Sequence, residues 1–172
     1  KSLSNYSSLL SSWYVVVIRE LVHFADFEPD PKWIADHLPQ KISKKQIEES
    51  WQILSELNLV KFDEKTKKFL VTDKALEIDP RVSDFSLKNY HRQNLKLAEE
   101  YLEGDERGKR EFSSLTLAVY EKQLASLRQK INKFRKNINS EFSQANEEPD
   151  HVVSLNSQLL VLSSKQKNKE DG

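Results

Sequence analysis

Two lysine clusters are the strongest candidates for chemistry in this 172-residue chain. Lys44, Lys45 and Gln46 open an amphipathic run, and Lys65, Lys67 and Lys68 crowd a short polar loop. Such groups suit phosphate, because each ammonium that neutralises a nucleic-acid phosphate releases condensed counterions. Contacts of that kind position a protein on a duplex without specifying sequence. Both clusters are diluted. Glu48, Glu49 and Glu56 share the outward side of the first with Gln52, and no arginine is present to pair with guanine. The alternative reading of this run is a scaffold or a protein-binding surface. Asp63 and Glu64 oppose the second cluster, beside Lys61. Its alternative is an ordinary hairpin whose lysines guard an exposed edge.

Other chemistries find less support. The chain has no cysteine, which removes thiol catalysis, zinc fingers and disulfides. His23, His37, His91 and His151 form no metal-ligand spacing. Three glycines and the absence of any phosphate-cradling motif argue against nucleotide chemistry. His91 and Arg92 offer an anion or ligand pocket or, as the plainer alternative, interdomain hydrogen bonds. The expectation is a protein that is not an enzyme and takes no cofactor or metal. Lys+Arg and Asp+Glu are equal at 27 each, so any basic surface is local. The longest apolar run, residues 13–18, is far too short to span a bilayer, and the expected location is cytoplasmic. A chain that begins at Lys1 and holds no methionine reads as a fragment of a longer protein.

These side chains need elements to hold them. Leu10, Trp13, Tyr14, Val17, Ile18, Leu21 and Val22 recur at helical spacing and predict one buried helix over about residues 7–26. Asp30 followed by Pro31 is a helix start, since aspartate caps free N–H groups and proline suits the first turn. Ser43 and Gln46 match a capping box. Ile47, Trp51, Leu54 and Leu57 make the buried side of the next helix, and Asn58 is a left-handed stop. Leu59 to Phe62 and Phe69 to Thr72 then pair as a hairpin around the lysine loop. Helix, turn, helix and hairpin in this order make a winged helix, an architecture used mainly by transcription regulators.

Asp79 and Pro80 mark a linker, and a further helix is predicted over about residues 83–102. Alternation at Leu115, Leu117 and Val119 predicts a strand, and Val153, Leu155, Leu159 and Val161 predict another. Between them, Leu124, Leu127, Ile131, Phe134, Ile138 and Phe142 predict a helix, with Lys122, Arg128, Lys130, Lys133, Arg135 and Lys136 outward. Strand, helix and strand form a βαβ unit. One helix over two strands is an incomplete layer, which suggests a homodimer through a shared sheet or paired helices.

Many of these residues also resemble a bacterial domain family of unknown function. They include Trp13, Ile18-Arg19-Glu20-Leu21, Asp30-Pro31-Lys32-Trp33-Ile34-Ala35, Leu38, Leu54, Leu57 and Leu59-Val60. Thr72-Asp73, Asn89-Tyr90-His91, Ser113 to Val119, Phe134-Arg135, Val153, Leu155-Asn156 and Gln158-Leu159 extend the likeness over about residues 6–162. The family forms the C-terminal region of transcriptional regulators whose N-terminal segment is a helix-turn-helix, and it brings no catalytic residues. Leu159-Leu160-Val161-Leu162 departs from its aromatic–proline ending.

The sequence therefore predicts an α+β protein, a winged-helix domain followed by a helix and a βαβ unit. Its expected parts are residues 1–78, 79–104 and 105–162, with a polar, disordered tail over 163–172. The expected role is the regulatory or dimerisation module of a bacterial transcriptional regulator. Its expected partners are DNA and a second copy. The alternatives are a protein–protein interaction module without nucleic acid and a small-ligand sensor.

Overall fold

A computed structural model describes residues 7–72, 84–104, 107–143 and 148–164. The fold is α+β. In chain order it contains α1 (Trp13–Leu21), α2 (Pro31–Asp36), α3 (Lys44–Glu56), β1 (Val60–Asp63), β2 (Lys68–Val71), α4 (Asp84–Glu103) and α5 (Glu121–Phe142). A single helical turn precedes α1 at residues 7–9. The expected linker at Asp79-Pro80 and most of the polar tail lie outside the described residues.

The core belongs to the first 72 residues. Leu9, Trp13, Val15, Ile18 and Leu21 meet Ile34, Ile47, Leu54, Leu57 and Leu59 in one buried cluster. The helix α3 lies at its centre, packed by α1, α2 and β1. Three caps predicted from sequence explain where these helices begin and end. The Asp30 carboxylate accepts from the Lys32 and Trp33 amides at 2.9 and 3.0 Å. Gln46 N donates to Ser43 Oγ at 3.3 Å while Ser43 N donates to Gln46 Oε1 at 3.0 Å. Asn58 takes the left-handed conformation, with φ 54°, just beyond α3.

The helix predicted over residues 7–26 is interrupted and shorter. Ser12 is extended, with φ −147° and ψ 140°, and α1 starts only after it. The break is held by a distant helix. Gln93 of α4 accepts from Trp13 N at 3.0 Å and donates to Ser11 O at 2.9 Å, and Asn89 donates to the same carbonyl at 3.1 Å. These bonds satisfy backbone groups that an unbroken helix would have paired internally. Beyond Leu21 the chain tightens into short turns, where His23 N donates to Glu20 O and Phe24 N to Leu21 O.

The βαβ unit requires a correction. Its helix is present as α5, but the segments predicted as strands, residues 115–119 and 153–161, carry no regular secondary structure. Among the described residues the only sheet is β1 with β2. A strand depends on a neighbour for its N–H and C=O groups, and alternation alone supplies none. Among the described residues neither segment has that neighbour.

Candidate nucleic-acid interface

The hairpin is antiparallel, with Val60 opposite Val71, Lys61 opposite Leu70, Phe62 opposite Phe69 and Asp63 opposite Lys68. Alternation along each strand therefore divides it. Phe62 and Phe69 lie on one face, and Lys61, Asp63 and Lys68 on the other. Phe69 meets the Trp51 ring edge-on at 5.0 Å and Phe62 at 5.1 Å, and Phe27 stacks on Trp51 at 5.8 Å. Trp33 completes the seam with an edge contact to Phe27 at 5.4 Å. Aromatic pairs at such distances add to the stability given by area burial alone. The seam fixes the hairpin to α2 and α3. Phe27 lies at its centre.

The loop of the hairpin is ordered by its own acid. Asp63 accepts from Lys65 N at 3.0 Å and from the Thr66 hydroxyl at 2.9 Å. The Lys65 amide first, then the Thr66 hydroxyl, hold the Asp63 carboxyl below its ordinary range. Lys67 adopts a left-handed φ of 55°, and its ammonium pairs with Glu64 at 2.7 Å. Among the described residues no ion pair engages Lys65 or Lys68, and both are exposed.

The other predicted residues are placed differently. Lys44 and Lys45 project from the first turn of α3 with side chains 75% and 84% exposed. Each is matched one turn on, Lys44 with Glu48 at 3.6 Å and Lys45 with Glu49 at 3.7 Å. Gln46 is committed to the fold: its amide caps Ser43 and donates to the Tyr14 hydroxyl at 3.2 Å. The structure thus separates the two clusters, one balanced by carboxylates on its own helix and one with a surplus of ammonium.

Beside Lys44 lies a groove of about 350 Å³ lined by Asp30, Pro31, Lys32, Ala35 and Lys44. Lys32, which the sequence reading passed over, joins Lys44 there. A second groove of about 250 Å³ runs over Pro29, Ile34, Ile47 and Trp51, with Glu48 and Gln52 among its lining residues. Among the described residues no group of three or more histidine or acidic side chains is placed to hold a metal ion. His37 instead stacks on Trp33 at 3.7 Å, with Nδ1 2.7 Å from the Trp33 carbonyl. Arg110 donates to the Tyr101 and Leu102 carbonyls and so caps α4.

The family model described as "Domain of unknown function (DUF4423)" matches residues 2–162, nearly the whole chain. The chain belongs to the DUF4423 family. No curated protein and no solved structure matches it. Among the described residues of this DUF4423 chain, no helix is long and apolar enough to cross a membrane.

Proposed function

We propose that this chain is the regulatory and dimerisation module of a bacterial transcriptional regulator, acting in the cytoplasm, in which α1 to β2 form a winged helix. On this reading the hairpin is the wing and lies along the phosphate backbone of DNA. One observation carries it: the hairpin is fixed by an aromatic seam on one face while Lys61 and Lys68 occupy the other, with Lys65 at the tip. A rigid mount with exposed ammonium groups can track phosphate at little ordering cost. The helix α3 supports a positioning role at most, because Lys44 and Lys45 face carboxylates of their own helix. Base-specific reading then falls to another part of the regulator.

The test is duplex binding by the full chain across a salt series. Replacing Lys65, Lys67 and Lys68 with glutamate should weaken binding and flatten the dependence of log K on log salt by up to about 2.7, near 0.9 per lost phosphate contact. An unchanged slope would remove the wing from the interface.

A second reading, a protein-interaction module without nucleic acid, is favoured by a separate observation. The C-terminal third leaves an unusual amount of apolar surface open.

A further inference from the structure

Among the described residues the region from Phe112 to Leu162 is only lightly covered: Val152 packs against the N-terminal core, while Leu124, Leu127, Ile131 and Ile138 of α5 are half-buried. The helix α5 has no buried residue, and its seam residues Phe134 and Phe142 are 57% and 68% exposed. Around it, Leu115 is 81% and Val153 86% exposed. Thirteen large apolar side chains in this stretch are two-fifths or more open to solvent. At roughly 60–120 Å² of apolar surface for each side chain when fully open, their fractional exposures leave on the order of 700 Å² in water. A typical monomer's largest apolar patch is about 300–600 Å². One partner's share of a standard interface is about 800 Å².

We infer that this surface pairs with a second copy of the chain. Residues 112–120 and 152–162 of the two copies would form one sheet, with the two α5 helices covering it. The inference rests on the dimerisation half of the function proposed above and is independent of DNA contact.

Three features favour a second copy over other occupants. The first is the layer count. One chain supplies one helix and two segments that do not pair among the described residues, whereas two chains supply four segments under two helices, a closed two-layer arrangement. The second is the character of the segments. Residues 113–120 and 152–164 contain no charged side chain, so like segments can lie side by side without opposing charges. Among the described residues, no backbone hydrogen bond outside the helices starts or ends within 111–119 or 148–164. The third is charge complementarity within the chain. The helix α5 carries six lysines and arginines against Glu121 and Glu141, while the end of α4 exposes Glu99, Glu100 and Glu103. Two copies can therefore match basic helix to acidic helix. DNA would meet the charge of α5 but would leave the leucines and valines in water.

The experiment is sedimentation equilibrium of the full chain at micromolar concentration, with hydrogen exchange on the same samples. The expected mass is twice the chain's 20.1 kDa. Leu117→Arg and Leu155→Arg should each raise the dimer dissociation constant about 30-fold or more, as loss of a central interface residue does. Trp13, Trp33 and Trp51, the only tryptophans, all lie before residue 73, so unchanged tryptophan emission shows that either variant keeps its core. Amides of 112–120 and 152–162 should be protected in the wild type and exchange freely in both variants.

A monomeric wild type overturns the proposal together with the dimerisation reading. Protected amides in such a monomer would mean that the segments pair within one chain. A dimer that survives both substitutions overturns this surface alone and leaves dimerisation standing on another face.

Discussion

Replacing Gln93 with alanine tests whether α4 is a structural part of the N-terminal unit. Gln93 accepts from Trp13 N at 3.0 Å and donates to Ser11 O at 2.9 Å, where α1 is broken from the turn before it. The two lost bonds differ in weight. Trp13 is only 6% exposed, so its amide has little access to replacement water. An unsatisfied donor of that kind costs about 1–2 kcal/mol. Ser11 is exposed, and its carbonyl keeps the Asn89 amide at 3.1 Å, so that side adds little. Gln93→Ala should therefore destabilise the fold by about 1–2 kcal/mol. Asn89→Ala, which touches only the exposed carbonyl, should cost no more than about 0.5 kcal/mol. Urea unfolding followed by tryptophan emission measures both, because every tryptophan lies in the unit that Gln93 contacts. Equal losses for the two variants, or no loss for Gln93→Ala, would refute the view that α4 holds the break in place.

Two further perturbations address the hairpin. Lys67 sits at φ 55°, a conformation glycine adopts without strain, while its pair with Glu64 is exposed. Lys67→Gly should therefore stabilise the fold by about 0.5 kcal/mol in the same urea assay, with the left-handed gain exceeding a surface ion pair. The Lys65 amide and Thr66 hydroxyl hold the Asp63 carboxyl below its ordinary range, so its contribution is present above the unfolded value and is lost as pH falls through the lower, folded one. Acid titration of the loop amides by NMR should show Lys65 and Thr66 shifting at a pH below the ordinary aspartate range in the wild type. In Asp63→Asn those shifts should be absent.

How much was legible in the sequence depended on distance along the chain. The Asp30 cap, the Ser43–Gln46 box, the Asn58 stop and the hairpin are set by residues within a few positions of one another, and all are present. The limits of α5 were equally readable, since an apolar residue recurs every three or four positions from Leu124 to Phe142. The candidate site was legible as two lysine clusters but not as two different environments. Glu48 and Glu49 are one helical turn from Lys44 and Lys45, so their pairing could be anticipated. The commitment of Gln46 to Tyr14, 32 residues earlier, could not.

The sequence by itself determined the local elements, because caps, periods and turn residues act through neighbours a turn or a strand away. Only the tertiary structure decided where those elements stop and what they touch. It broke the first helix at Ser12, since the bonds that compensate the break come from a side chain 80 residues away. It made Phe27 the centre of the seam that mounts the hairpin. Among the described residues it also gave 115–119 and 153–161 no strand partner despite their alternation, because a strand's hydrogen bonds are completed by another strand.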